Sequence, residues 1–354
     1  MVRRRKQRGA FQRGKRVALV LLVLALFSAG AMAYRFYQIV YAPSVHVDEE
    51  DFLYIPTGTN YTELLALLQQ QNVVRKIEHF DWTARQMNLP NHVQPGRYRI
   101  RNGMTNRELV AMLRSGRQEP VRLVLNKFRS AQELVRYVSN RLEADQTTLL
   151  LLFQDSVFLR SYGLKPATSL AIIIPNTYEF FWNTSARDFF DRMYREYERF
   201  WTPQRRQQAQ QLGLTPVEVV VLASIVEEET NHQPEKPIIA SVYLNRLQRG
   251  MKLQADPTVK FAVGDFGLRR VLLHHLQTPS PYNTYLVSGL PPGPICTPQP
   301  ATIDAVLQAT PTNYLYFCAN PEQPGTHVFA HTLAQHKRNA RRYQQWLSQQ
   351  GIYR

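Results

Sequence analysis

The sequence predicts an α+β fold that follows a single N-terminal membrane-spanning helix. Three observations lead there: an apolar run behind a basic tail, a strand–helix–helix–strand order over residues 52–120, and helical periodicities alternating with a few short strands over 121–350. With 354 residues, 44% of them hydrophobic, the chain has material for a sizeable core, which excludes a disordered protein.

The first element is the apolar run. Val17 to Ala33 reads VALVLLVLALFSAGAMA, and Tyr34, Phe36, Tyr37, Ile39, Val40 and Tyr41 continue it around Arg35 and Gln38. Roughly 17–25 residues suffice to cross a bilayer, and aromatic residues beside a snorkelling Arg suit its interface. Before the run stand Arg3, Arg4, Arg5, Lys6, Arg8, Arg13, Lys15 and Arg16, with no acid among them. Basic residues ahead of a span keep that end in the cytoplasm, so the body after Tyr41 is expected outside. Ala31-Met32-Ala33 resembles a signal-peptide cleavage site. The run nevertheless exceeds the usual h-region of about 7–15 residues, which favours a retained anchor. The chain carries 43 Lys+Arg against 27 Asp+Glu, net +16, and this tail holds about half of the excess. A nucleic-acid role for the tail is therefore set aside in favour of a topology signal; an exported body would never meet nucleic acid.

The expected organisation is a basic cytoplasmic tail at 1–16, an anchor at 17–41 and an acidic linker at 42–51. A small module follows at 52–120, then a larger α+β domain at 121–350. In the module, Phe52–Ile55 reads as a strand. Leu64, Leu65, Leu67 and Leu68 fall at helical spacing within 61–71, and 77–87 reads as a second helix. Pro95-Gly96 turns into the strand 97–100; Thr105–Glu108 is a capping box, and Gly116 ends the helix it opens. The larger region begins with the strand 121–125. Helical patterns follow at about 130–160, 186–211, 216–230 and 236–249, then a Pro- and Gly-rich stretch beyond 280, a strand at 314–319 and a basic helix from Thr332.

Chemistry concentrates at the end of one helix. Thr215-Pro216-Val217-Glu218 is a strong helix start, with Thr as N-cap, Pro at the first position and Glu closing a capping box. Val219 to Val226 is apolar on every face and so expected to be buried. The helix then runs into Glu227-Glu228-Glu229. Carboxylates there oppose the macrodipole, and burial beside Val and Ile also disfavours their charged form. A carboxylic acid kept protonated near neutral pH is what a general acid in glycosidic cleavage requires. A solvated acidic helix end is the plain alternative, and these residues alone do not choose among the three glutamates.

Leu222-Ala223-Ser224-Ile225-Val226-Glu227-Glu228-Glu229-Thr230 resembles the signature of the endolytic murein transglycosylase, or YceG-like, family. The similarity continues through Ala240–Leu247, Met251–Val259, Tyr282–Tyr285, Gly289–Ile295, Tyr314–Phe317 and the spaced set His327, Phe329, Leu333 and His336. It spans about residues 50–345. The resemblance implies that 52–120 is a LysM-like module and that 121–350 is the catalytic domain. It implies Glu227, the first of the three, as the acid/base. The implied reaction is a lytic cut of the MurNAc-GlcNAc β-1,4 bond of nascent glycan strands. In it the substrate's own 6-hydroxyl attacks C1 and leaves 1,6-anhydro ends, so one residue serves where ordinary glycosidases need two. The partners implied are peptidoglycan strands, the cytoplasmic membrane and peptidoglycan synthases, without a cofactor.

Gln254, Asp256, Thr258, Tyr282, Asn283, Thr284 and Tyr285 lie in these segments, and their amide, hydroxyl and aromatic groups suit sugar hydroxyls and acetamido groups. Turn capping is the rival role, above all for Asp256 before Pro257. Pro291-Pro292-Gly293 is read as a stiff loop shaping the cleft wall. The family often has Pro-Asp-Thr-Tyr where this chain has Pro175-Asn176-Thr177-Tyr178, so that segment is read as cleft-shaping; 125–128 and the loop after Val263 also depart from the family. His327 and His331 are four apart and Glu228 precedes His232 by four, but no HExxH occurs, so no metal site is expected. His327 is read as a cleft or packing residue. Cys296 and Cys318, in the expected exported body, suit either a disulfide or two small core residues. The alternative function is a non-catalytic, wall-binding membrane scaffold.

Overall fold

A computed structural model describes residues 2–47, 51–268 and 270–350, with side chains from Lys15 onward. Asp48, Glu49 and Glu50 of the expected acidic linker, and the side chains of most of the basic tail, lie outside the described residues. The chain divides into two compact units.

The first unit comprises the chain up to Val121 together with Phe181–Asn183. Helix α1 (Val2–Val40) contains the stretch Lys15–Val40, which among the described residues is the one helix long and apolar enough by itself to cross a membrane. From Lys15 to Gln38 every side chain of that stretch is exposed, and only Ile39 and Val40 at its end are covered by protein. Its last turn is tied down. The Ile39 carbonyl accepts from Asn106 Nδ2 at 2.7 Å and Thr83 Oγ1 at 3.4 Å, so an orphan helix-end carbonyl finds donors. Pro43 and Val45 make single bridges to Thr105 and Val74.

Strands β1 (Asp51–Ile55) and β2 (Gly96–Ile100) pair antiparallel, Leu53 opposite Tyr98. Alternation puts Leu53, Ile55, Tyr98 and Ile100 on the inner face, where they are buried. Helices α2 (Tyr61–Gln70), α3 (Ile77–Gln86) and α4 (Asn106–Ser115) close over them with Leu64, Leu68, Phe80, Ala84, Leu109 and Leu113. Capping boxes Asn60/Glu63 and Thr105/Glu108 start α2 and α4. Gly116 ends α4 at φ +64°, a conformation glycine adopts at little cost.

The second unit is Arg122–Phe180 with Thr184–Arg354. Strand β3 (Val121–Leu125) pairs with β4 (Asn176–Phe180). The expected helical region at 130–160 is three helices, α5 (Ala131–Ser139), α6 (Gln146–Gln154) and α7 (Ser156–Arg160), the latter two capped by Asp145 and Asp155. The region 186–211 is likewise two: α8 (Ala186–Phe200) stops, Thr202 caps, and Pro203 opens α9 (Pro203–Gln211). At the centre lies α10 (Pro216–Glu229), every residue from Val219 to Glu227 buried. It packs against α9, α11 (Lys236–Gln248), α12 (Asp256–Val263) and α13 (Pro300–Leu307). A hairpin of β5 (Tyr316–Ala319) and β6 (His327–Ala330) and the closing helix α14 (Leu333–Gln349) complete the unit. The described residues thus form a mixed α+β protein with three two-stranded sheets.

Candidate active site

The last turn of α10 presents three carboxylates in three different settings. Glu227 is 8% exposed, and its Oε2 accepts from Lys236 Nζ at 3.0 Å and from the Thr302 hydroxyl. Lys236, itself 1% exposed, also donates to Thr302 at 2.6 Å. This is a buried knot joining α10, α11 and α13. Glu228 turns toward Lys127, 2.8 Å away, and Arg129, 3.3 Å away. Burial would raise its carboxyl, but those two cations outweigh burial and hold it below the usual range.

Glu229 lines a cavity of about 330 Å³ in the second unit, with Tyr243, Arg246, Gln254, Asp256, Tyr285 and His336 among its walls. Burial pushes its carboxyl up to about 7 against a donated Tyr243 hydroxyl hydrogen bond, and the charge of Asp256 adds to the rise. A partly protonated carboxylic acid at neutral pH is thus set beside hydroxyl, amide and aromatic groups.

The elements around the cavity explain why their sequences take this form. On α11, Tyr243 reaches Glu229, while Asn245 donates to the carbonyls of Thr312 and Tyr314 at 2.8 and 2.9 Å. Arg246 Nε donates to the Leu315 carbonyl at 2.6 Å, and Nη1 to that of Leu253 at 2.7 Å. One helix face therefore clamps the loop before β5 and the segment before α12. In that segment Gln254 holds φ +51°, a left-handed conformation uncommon for a side chain, fastened by its N–H to the Thr284 carbonyl at 3.1 Å. Strain of this kind, kept where neighbours over-determine it, gathers at functional sites.

Of the residues expected to touch sugar, Gln254, Asp256 and Tyr285 meet Glu229 in the cavity, and Tyr285 donates to Asp256 at 2.6 Å. Thr258, Asn283 and Thr284 do not: each is fully buried and braces the wall from behind. Thr258 and Thr284 share a hydrogen bond at 2.8 Å, and Asn283 donates to the carbonyls of Leu276 and Thr278 at 3.0 and 2.9 Å. Their hydroxyls and amide are consumed inside the protein, so the bracing role displaces the binding one. Asp256 is the first residue of α12 and not a turn cap. Tyr282 packs its ring, tilted by 45°, against Phe261 at 4.6 Å and is not among the cavity walls. Nearby, a Cβ at Gly293 would fall 1.7 Å from the Ala167 carbonyl oxygen, so only glycine fits the Pro291-Pro292-Gly293 loop there.

Asn176 lies elsewhere in this unit, on a cavity of about 350 Å³ with Asn126, Thr177 and Gln299. His327 packs edge-on against Phe317 and meets Glu235 through both its backbone N–H, at 2.8 Å, and its Nδ1, at 2.9 Å. Cys296 and Cys318 are free thiols, Cys296 buried against α10 with its Sγ 3.6 Å from the Ser224 carbonyl oxygen. Among the described residues no three His, Cys, Asp or Glu side chains gather to hold a metal ion. Sequence reasoning missed Tyr243, Arg246 and Lys236. The available signal was that Tyr243 and Arg246 stand three apart, on one face of a helix already expected there.

A mixed α+β body that sets a protonatable carboxyl among tyrosines and an amide has groups suited to general acid/base chemistry. The YceG-like family model matches residues 53–342, and the chain belongs to that family. It is 25% identical over 305 residues to the endolytic murein transglycosylase of Bacillus subtilis, covering 82% of this chain and 83% of that one. To the endolytic murein transglycosylase of Streptococcus pneumoniae serotype 2 it is 27% identical, over 90% of this chain but 63% of the longer relative. A YceG-like protein from Listeria monocytogenes, solved by crystallography, superposes with a TM-score of 0.55 at 25% identity, covering 82% of this chain and 99% of that one.

Proposed function

We propose that this protein is a membrane-anchored endolytic lytic transglycosylase that cuts nascent peptidoglycan strands outside the cytoplasmic membrane, with Glu229 as its single acid/base. The observation that carries this reading is the Glu229 carboxyl, raised to about 7 in a polar cavity beside Gln254, Asp256 and Tyr285. The resemblance in sequence pointed to Glu227. Its carboxylate, however, is engaged by Lys236 and Thr302 in the core, and it is not among the cavity walls, so the role moves two residues along.

Glu229 donates its proton to the oxygen linking MurNAc C1 to GlcNAc C4. The C1–O bond breaks, the 6-hydroxyl of the same muramic residue attacks C1, and the Glu229 carboxylate takes that hydroxyl's proton. The acid is regenerated, no water is consumed, and the product carries a 1,6-anhydro end. A carboxyl near neutral pKa suits both halves of this exchange. The names of the curated relatives support murein as substrate. The basic residues ahead of the apolar span support a cytoplasmic N-terminus, with the catalytic unit on the far side near the synthases that make its substrate. The region 52–120 acts as a LysM-like module that holds glycan.

The test is mass spectrometry of products from purified sacculi treated with the full chain, Glu229→Gln or Glu227→Gln. Anhydromuramic ends should vanish with Glu229→Gln and persist in whatever fraction of Glu227→Gln remains folded. Normal yield from Glu229→Gln defeats the assignment; full-length glycan with no anhydro ends from the unaltered chain defeats the reaction class.

A further inference from the structure

Two carboxylates line the cavity, and the reaction as written uses one. Asp256 opens α12, where the aligned peptide dipoles place partial positive charge beside it. Its Oδ1 accepts from the Tyr285 hydroxyl at 2.6 Å, while the residue stays exposed to the cavity. Glu229 lies on the same cavity, its Oε1 accepting from Tyr243. Two acids, each steadied by its own tyrosine, therefore share one cavity in unlike settings: one at the end of a buried apolar helix, the other an exposed residue at the start of a short helix. Charge separation of this kind divides acid from electrostatic stabiliser in glycoside cleavage.

Resting on the Glu229 reading and deepening it, we propose that Asp256 is a second catalytic residue, whose carboxylate stabilises the positive charge that develops at C1 as the C1–O bond breaks. It forms no covalent bond and moves no proton. Tyr285 fixes its direction through that hydrogen bond, and the strained backbone at Gln254 stands two residues before it. The groups facing this pair are Tyr243 and Arg246 from α11, Lys260 from α12, Tyr285 from the following loop, Tyr316 from β5 and His336 from α14. Because the charge of Asp256 raises the Glu229 carboxyl, its removal must also change the pH at which the acid is lost.

The experiment is steady-state cleavage of uncrosslinked glycan by the full chain in detergent, across pH, with Asp256→Asn and Asp256→Glu. Asp256→Asn should lower kcat by about 10²-fold with little change in KM, the size of effect seen when one transition-state partner is removed. Its alkaline limb should move to lower pH, whereas Asp256→Glu, which keeps the charge, should hold the limb in place. A raised KM with kcat intact makes Asp256 a hydroxyl-binding residue and overturns the proposal, as does a lost kcat with an unmoved limb. Should Asp256→Asn fail to fold, Tyr285→Phe takes its place: lowered kcat at constant KM supports the proposal, and a rise in KM alone overturns it. Full turnover by Glu229→Gln, by contrast, defeats the acid/base reading itself whatever Asp256 does.

Discussion

Glu227 and Glu229 stand two residues apart in one helical turn, yet they inhabit opposite environments. At 3.6 residues per turn, a separation of two carries a side chain roughly to the other side of the helix. One carboxylate, that of Glu227, is locked to Lys236 of α11 and Thr302 of α13 in the core. The other, that of Glu229, lies on the cavity, with a tyrosine for a partner and no cation within salt-bridge distance among the described residues. Burial surrounds both; the partner decides the outcome. Glu227, with Lys236 at 3.0 Å, is a structural fastener, whereas Glu229 has no such partner and burial pushes its carboxyl up to about 7.

The comparison breaks most sharply on turnover. Glu229→Gln keeps the shape of the side chain and cannot transfer a proton. It should lose at least about 10²–10⁴-fold in formation of anhydro ends while still binding glycan in sedimentation assays. Glu227→Ala should fail in the opposite way, leaving Lys236 in the core without its ion-pair partner, a loss of about 3–5 kcal/mol in urea unfolding. Glu227→Ala combined with Lys236→Met should recover much of that loss. A single Glu227→Ala as stable as the parent would show that the knot holds nothing.

A smaller effect concerns pH. The Glu229 carboxyl rises from an ordinary 4.5 to about 7, so between those values the folded protein holds a proton that the unfolded chain has released. Stability should therefore fall as pH rises through that window, by at most about 3 kcal/mol. Thermal melts of Glu229→Gln should lack this slope. An equal slope in both proteins would mean that the carboxyl is not the group responsible. The smallest effect belongs to Glu228, whose partly exposed pairs with Lys127 and Arg129 should be worth about 1 kcal/mol or less. Glu228→Gln should leave the turnover profile of the parent; a collapse comparable to that of Glu229→Gln would reopen the choice among the three.

Local signals were legible because their physics is local. Capping boxes at Thr105 and Thr215, the αL stop at Gly116 and the apolar body of α10 each depend on residues a few positions apart. The break at Trp201-Thr202-Pro203 carries a local signal too, an N-cap before a proline, set inside a longer periodic stretch that hides it. Strands β4 and β6 and helices α12 and α13 were harder, since Pro- and Gly-rich surroundings mask short elements whose stability comes from packing.

By itself the sequence determined that an apolar helix leads the chain and that a buried helix ends in three glutamates; the family resemblance is what joined the segments at 251–259 and 282–285 to it. Tertiary structure alone decided which glutamate meets the cavity. That choice rests on Lys236, Tyr243 and Thr302, which lie 9, 14 and 75 residues from the carboxylates they contact. It decided as well that Thr258, Asn283 and Thr284 brace the wall while Gln254, Asp256 and Tyr285 face its interior. A polar side chain reads the same in a sequence whether its hydrogen bond goes to a sugar or to a neighbouring carbonyl. Only the packing that buries one and exposes the other separates them.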